Sequence, residues 1–98
     1  MNHTQREIND IVNMIKESKL IEEIQFVEEQ NNDLSEQNIK QTYQIVFSSS
    51  TDAQGRKDVL DSIKRYCTSE TNLMINIIGT KTNNSIQNQV RIKIEPNY

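Results

Sequence analysis

The chain has 98 residues, the size of one small domain, and only 34% of them are hydrophobic, compared with about 45–50% in typical domains. Its charged fraction of 26% is ordinary, so a disordered chain is not expected. The N-terminus has no apolar leader, and no run approaches the roughly 20 apolar residues of a membrane span. A lone Cys67 fits a reducing compartment. We therefore expect one cytoplasmic domain over residues 1–98, without membrane association.

The charges are unevenly distributed along the chain. Residues 1–50 hold four basic and nine acidic side chains, whereas residues 51–98 hold seven basic and five acidic ones. An acidic half joined to a mildly basic half favours protein partners or self-association over a nucleic-acid footprint. The abundance of Ile, Lys, Asn and Gln is typical of AT-rich genomes and suggests a low-GC bacterium, a virus such as a phage, or a mobile element as the source.

The first predicted element is an amphipathic helix. Thr4 and Glu7 have the spacing of a capping box, which marks a helix start. Four aliphatic residues then follow at the i, i+3, i+4, i+7 spacing that builds one apolar helix face. These are Ile8, Ile11, Val12 and Ile15. The helix is expected to end near Ser18.

Two strands are predicted after this helix. Residues 20–29 change to an alternating period that places Ile24 and Phe26 on one side. A polar loop extends to about Asn38, and a second strand alternates from Ile39 to Ser48. Its apolar side consists of Ile39, Tyr43, Ile45 and Phe47. The two strands are expected to form an antiparallel hairpin, and Phe26 is expected to join the core.

The second half of the chain repeats this order. Residues 48–52 offer N-caps for a second helix, whose apolar side comprises Ala53, Val59, Leu60, Ile63 and Cys67. Leu73 to Ile78 forms a predicted strand with apolar residues on both faces, which indicates a central position in the sheet. A last strand runs from Ile86 to Ile94 and stops at Pro96.

These elements predict an α+β fold of order α-β-β-α-β-β, with two helices on one face of a four-stranded, mostly antiparallel sheet. The octets at 9–16 and 57–64 resemble each other, with Asp, a β-branched residue, an aliphatic, Ile and Lys in matching places. The chain can therefore be divided into two αββ units, an acidic one at 1–50 and a mildly basic one at 51–98.

An acidic series in the first hairpin is the leading candidate for binding a protein partner. Carboxylates spaced along a hairpin can occupy a site that is built for phosphates or basic side chains. The alternative is a solvated strand edge whose charges prevent aggregation, because Leu34 is the only apolar anchor within the series. The series consists of Glu22, Glu23, Glu28, Glu29, Asp33 and Glu36.

The entry to the second helix is a candidate anion site. Its hydroxyls and basic groups are Ser49, Ser50, Thr51, Arg56 and Lys57. The segment lacks the glycines of a phosphate-binding loop, so helix capping is the competing interpretation. A nucleic-acid surface formed by this helix with Arg91 and Lys93 is the third hypothesis. The pairs Lys57–Asp61 and Asp61–Arg65 would neutralise much of its charge.

Catalysis finds little support in the sequence. The only histidine is His3 in the terminal lead, and Cys67 lies toward an apolar side, so neither an enzyme nor a cofactor or metal site is expected. We expect a small protein-binding or inhibitory module. The alternative is a small-ligand or nucleotide-binding module that uses a pocket at a dimer interface, near the Ser-rich entry to the second helix at Ser48–Lys57. A homodimer is also expected, formed through sheet faces that carry Val27, Val46, Met74 and Ile78.

Overall fold

The computed structural model describes residues 3–31, 39–80 and 88–97, with only the backbone described at residues 3, 79 and 80. It confirms the predicted α+β fold and the order α-β-β-α-β-β. The elements are α1 (His3–Lys16), β1 (Ile21–Gln30), β2 (Lys40–Phe47), α2 (Ala53–Glu70), β3 (Leu73–Thr80) and β4 (Gln89–Pro96). Neither described helix is long and apolar enough to cross a membrane.

The four strands form one sheet in the order β1-β2-β4-β3, and each neighbouring pair is antiparallel. The prediction that the strand at Leu73 is central was therefore wrong. β3 lies at an edge, because β4 inserts between it and β2. The apolar residues on both faces of β3 do not reflect burial on both sides, since Ile77 and Ile78 remain 40% and 48% exposed.

The core lies between one face of the sheet and both helices. The aliphatic stripe of α1 is buried as predicted, and the alternating residues of the two central strands face it. From α2, Ile63 and Cys67 reach the core, while Val59 and Leu60 are half-buried against it. The sheet contributes Tyr43, Ile45, Phe47, Val90, Ile92 and Ile94 from β2 and β4. Burial of this single apolar cluster is the main stabilising contribution to the fold.

The second helix begins where the sequence predicted. Asp52 is the N-cap, and its carboxylate accepts a hydrogen bond of 2.8 Å from the main-chain N–H of Gly55. The helix ends at Glu70, where Thr71 leaves helical geometry and its N–H donates to the carbonyl of Cys67. Because β2 and β3 are both antiparallel to β4, they run parallel to each other, and α2 forms the crossover between them.

The other face of the sheet is largely polar, and neither of the two described helices packs on it. Gln44 donates to Gln89 at 2.9 Å and accepts from Arg91 at 3.3 Å, while Asn76 donates to Glu95 at 2.7 Å. We call this surface the open face, and the opposite surface the helix face. The half-buried apolar residues of the open face are Val46 and Met74.

The predicted apolar set on the open face is only partly correct, because two of its four members lie in bulges. Val27 is the extra residue between the pairs formed by Phe26 and Glu28, and Ile78 occupies the same kind of position in β3. A bulge shifts the register by one residue, so a single alternation does not run through either edge strand.

The two αββ units occupy equivalent places in the fold. β1 and β3 form the two edges of the sheet, β2 and β4 form its centre, and each unit supplies one helix to the same face. The strand order is therefore symmetric about the β2–β4 pair, and an internal repeat of the sequence stays a prediction. The matching octets lie on the core stripes of the two helices, where Ile15 and Ile63 are both buried.

Candidate protein-binding surface

The most exposed large apolar side chain among the described residues is Phe26, in the middle of β1. Its exposed fraction is 56%, although the strand period places it on the helix face, opposite Tyr43. The two rings meet edge to face, with their centroids 5.7 Å apart. The prediction that Phe26 belongs to the core was wrong, because it lies at the uncovered edge of the sheet.

A groove of about 430 Å³ lies between α1 and this edge. Its floor is apolar, and its helix side carries amides and one ammonium group. The ammonium group belongs to Lys16, which has no ion-pair partner in the described part of the chain. The remaining lining residues are Asn9, Val12, Asn13, Ile24, Phe26 and Tyr43. The groove is large enough for one or two side chains of a partner.

The acidic residues of β1 surround Phe26 but do not share one face. Glu23 and Glu28 point to the open face, opposite Val46 and Thr42. Glu22 is the extra residue of a first bulge, and Glu29 lies on the helix face. All four are exposed, so the edge carries carboxylates on both sides of the sheet. Asp33 and Glu36, the other two members of the predicted series, lie outside the described residues.

The free edge of β1 presents main-chain groups beside Phe26. The Phe47 N–H of β2 donates to the carbonyl of Asn88, on the β4 side, at 2.8 Å. Alternate residues of β2 face the same way, so Ile45 and Tyr43 also turn their main chain toward β4. In an antiparallel pair, two opposite residues either hydrogen-bond to each other through their main chains or both direct these groups away from each other. Ile24 lies opposite Ile45 and Phe26 lies opposite Tyr43, so Ile24 and Phe26 direct their main-chain groups to the free edge of β1.

A buried polar network supports the end of this groove. The Gln41 side chain is 4% exposed, and its amide nitrogen donates to Gln5 at 2.9 Å and to Glu29 at 2.8 Å. Its oxygen accepts a hydrogen bond of 2.7 Å from the Tyr43 hydroxyl. Burial, with a further contribution from the Glu29 carboxylate, raises the pKa of Tyr43. The network joins α1, β1 and β2, and it was not predicted from the sequence.

The predicted anion-binding residues form the contacts of a helix entry. The Thr51 hydroxyl lies 2.7 Å from the Ser48 hydroxyl and donates to the Leu20 carbonyl at 3.2 Å. The Arg56 guanidinium donates to the Thr51 carbonyl at 3.0 Å, and Lys57 pairs with Asp61. Ser49 and Ser50 are exposed. These contacts and the Asp52 cap match the capping interpretation, and anion binding here stays a prediction.

The basic residues of α2 are only partly paired. Lys57 lies 3.2 Å from the Asp61 carboxylate, as predicted. The predicted partner of Arg65 was wrong, because Arg65 donates to the Ser62 hydroxyl at 3.5 Å and is not within ion-pair distance of Asp61. Nucleic-acid binding through this helix stays a prediction.

Cys67 is buried in the core with an exposed fraction of 1%, as its place in the apolar stripe predicted. Burial, with a further contribution from the nearby Glu7 carboxylate, raises the pKa of its thiol from 9.0 to about 11. A thiol with this pKa is protonated at neutral pH and is a poor nucleophile.

The raised pKa of Cys67 predicts a loss of stability in alkali. The folded protein holds the thiol proton more tightly than the unfolded chain does, so this contribution is complete below pH 9 and is lost as pH rises through about 11. We expect the free energy of unfolding to fall by about 2 kcal/mol from this source between pH 8 and 11. Urea denaturation across this range measures it. In the Cys67→Val variant the free energy of unfolding should fall by about 2 kcal/mol less over this pH range. An equal fall in both proteins would show that the Cys67 thiol is not its source.

Comparisons with known proteins identify no relative. No protein-family model, no curated protein and no solved structure matches the chain. Among the described residues, no group of three or more His, Cys, Asp or Glu side chains could hold a metal ion.

Proposed function

We propose that the protein is a small protein-binding module that docks through the outer edge of β1. The partner would place an apolar side chain against Phe26 and set basic groups beside the surrounding carboxylates. The observation that carries this proposal is the 56% exposure of Phe26 in the middle of an edge strand. Phe26 gives the acidic series an apolar anchor besides Leu34, which was the only one predicted from the sequence.

Phe26 has the features of an energetic anchor. An aromatic side chain supplies a large apolar area with only two rotatable bonds, and such residues dominate many protein interfaces. Its contact with Tyr43 holds the ring before any partner arrives. The adjoining groove offers a concave surface for the partner's own side chain. We expect removal of the ring to cost about 2 kcal/mol of binding free energy.

The carboxylates favour a basic partner. Glu22, Glu23 and Glu28 are exposed along the strand, and their charges would attract lysine or arginine side chains and raise the association rate. Glu29 contributes less, because its carboxylate already accepts a hydrogen bond from Gln41. The carboxylates would also discriminate against acidic partners.

The main-chain groups at the free edge of β1 allow a partner to bind by adding a strand to the sheet. Ile24 and Phe26 turn N–H and C=O groups outward, so an extended segment of the partner could add to the sheet as a further strand. Side chains on one side of that segment would face α1 and the groove, and those on the other would lie near Glu23 and Glu28. The expected partner segment is therefore extended, apolar on its helix-facing side and basic on the other.

A displayed library of random peptides tests this proposal and does not require an identified partner. We expect the enriched peptides to combine apolar residues with lysine or arginine in alternation. Phe26→Ala should weaken their binding at least tenfold, because it removes the anchor ring. Neutralising Glu22, Glu23 and Glu28 to glutamine should weaken binding mainly at low salt.

The matched control is Ile77→Ala on the opposite edge of the sheet, which should leave peptide binding unchanged. Circular dichroism would verify that each variant keeps its fold. Enriched peptides that are acidic, or that bind the Phe26→Ala variant as tightly as the unchanged protein, would contradict the proposal.

Self-association as a homodimer is a separate proposal, and it needs a surface other than this acidic edge. An inhibitory role, a cytoplasmic location and a phage or mobile-element origin stay predictions from the sequence.

A further inference from the structure

The two edges of the sheet are built in the same way. In the first hairpin Ile24, Gln25 and Phe26 pair regularly with β2, and Val27 then forms a bulge. In the second hairpin the five residues from Leu73 to Ile77 pair regularly with β4, and Ile78 then forms an equivalent bulge. Phe26 and Ile77 therefore occupy equivalent positions, each followed by the extra residue of a bulge.

The two edges differ in charge. β1 carries four glutamates along its length, whereas β3, with the sequence LMINIIGT, has no charged residue. Proteins commonly protect exposed edge strands with charged side chains, because an unpaired edge is a template for another strand. β1 has this protection and β3 lacks it. Ile77 and Ile78 nevertheless leave 40% and 48% of their surfaces exposed there.

The free edge of β3 offers main-chain hydrogen-bonding groups. Asn97 donates its N–H to the Asn72 carbonyl at 2.8 Å, so Asn72 faces β4. Main-chain direction alternates along a strand, so Leu73 and every second residue after it face away from β4. Pro96 agrees with this, because it lies opposite Leu73 and has no N–H with which to bond it. The residues that turn their main chain to the free edge are Leu73, Ile75 and Ile77. In the described part of the chain, the main-chain groups of Ile75 and Ile77 on this side have no partner.

We propose that β3 pairs edge to edge with β3 of a second copy, antiparallel and with the two-fold axis at Ile75. The free edge of β3 is thus the proposed interface of the homodimer. Ile75 would exchange main-chain hydrogen bonds with Ile75 of the second copy, and Ile77 would lie opposite Leu73. Ile75 and Ile77 turn unpartnered main-chain groups outward, and this register pairs them. The Leu73 N–H already donates to the Thr71 hydroxyl at 3.0 Å, and in the dimer it would exchange that bond for one to the carbonyl of Ile77 in the second copy. The product is one continuous sheet twice as wide.

The side chains of β3 are self-complementary in this register. Leu73, Ile75 and Ile77 belong to the helix face, so the pairing extends the apolar core across the dimer and covers the exposed part of Ile77. On the open face, Met74 of one copy would lie beside Asn76 of the other. No like charges meet at any of these positions.

The same pairing is unfavourable at β1, which argues that the choice of edge is specific. The equivalent pairing at β1, centred on Ile24, would set Glu22 of one copy beside Phe26 of the other and Glu23 beside Gln25, with no basic side chain in either strand. Carboxylates that line a strand pair without counter-charges repel one another and disfavour the pairing. β1 therefore remains open to a different partner, whereas β3 fits a second copy of the chain.

Sedimentation equilibrium on the full chain tests the pairing. We expect a dimer for the unchanged protein, and a dimer Kd raised at least tenfold in Ile77→Lys, because the ammonium group would be buried against Leu73. The matched control is Phe26→Lys at the equivalent position of β1, which should leave the dimer intact.

Hydrogen exchange identifies the surface without any substitution. The amides of Ile75 and Ile77 should become protected as the protein concentration rises, because they bond to the second copy only in the dimer. The amides of Met74 and Asn76 face β4 and should be protected at every concentration. This comparison also decides the matter if Ile77→Lys does not fold.

Three results would overturn the pairing. They are a monomeric mass at concentrations up to about 1 mM, a dimer that Ile77→Lys does not weaken, and a dimer without protection at Ile75 and Ile77. Peptide binding at β1 is measured on a different variant, so either proposal can fail while the other stands.

Discussion

Replacing Ile92 with alanine is expected to lower the free energy of unfolding by about 2–5 kcal/mol. Ile92 lies in the central strand β4, between Tyr43 of β2 and Ile77 of β3, and its side chain is fully buried. The substitution removes apolar contacts and leaves a cavity that rigid neighbouring strands fill only partly. Domains have a total stability of about 5–15 kcal/mol, so this one substitution should remove a substantial share of it.

Urea denaturation measures this loss, and a matched substitution isolates its cause. Ile78→Ala makes the same chemical change in a strand, but at a position that is 48% exposed. In dilute solution it should cost about 0.5 kcal/mol or less. If both variants lost the same free energy of unfolding, burial of Ile92 in the central strand would not be the cause of the loss.

Replacing Gln41 with leucine is expected to cost about 2–3 kcal/mol, although leucine is the more apolar residue. The substitution removes the acceptor of the buried Tyr43 hydroxyl and one donor to the Glu29 carboxylate. A buried polar group left without a partner costs more than the hydrogen bond itself contributes. The orientation of the Gln41 amide follows from this network, because a carboxylate only accepts and so must face the nitrogen.

A double-substitution cycle separates this effect from a simple change in packing. Tyr43→Phe removes the hydroxyl that Gln41→Leu would leave unpaired, so the two losses in stability should sum to more than the loss in the double variant. Chemical denaturation of the four proteins gives the coupling energy. Strictly additive losses would indicate that Tyr43 and Gln41 are not coupled in the folded protein.

The periodicity of the sequence predicted which side chains face the core. The stripe from Ile8 to Ile15 is buried on α1, and the alternation of β4 is buried at Val90, Ile92 and Ile94. These predictions succeeded because a helix or a strand with one apolar face has to bury it, whatever its neighbours are.

The order of the strands could not be read in the same way. An antiparallel hairpin can join an existing sheet through either of its strands, and the alternation within β3 and β4 is compatible with both choices. The apolar residues on both faces of β3 suggested a central strand, but Ile78 lies in a bulge and stays exposed. Sequence period specifies the faces of a strand and leaves its neighbours undetermined.

The candidate site was only half visible in the sequence. The glutamates of β1 were recognisable as a group, but the exposure of Phe26 depends on how far α1 covers the sheet, which no local pattern encodes. Gln41 did carry a signal. It interrupts the inward-facing series of β2 between Ile39 and Tyr43, and a polar residue at such a position predicts a buried partner.

The pairing of β2 with β4 at the centre of the sheet, which we call the seam, leads us to expect a particular order of folding. Each hairpin joins strands that are close in the sequence, whereas the seam joins Gln41 to Ile94 and Ile45 to Val90, with all of α2 and β3 in between. Closing a long loop costs more chain entropy than closing a short one, and contacts between distant residues slow folding. We therefore expect the two hairpins to form early and the β2–β4 seam to form last. Until it closes, each half exposes the strand that becomes the middle of the sheet, and the seam makes the two halves one cooperative unit.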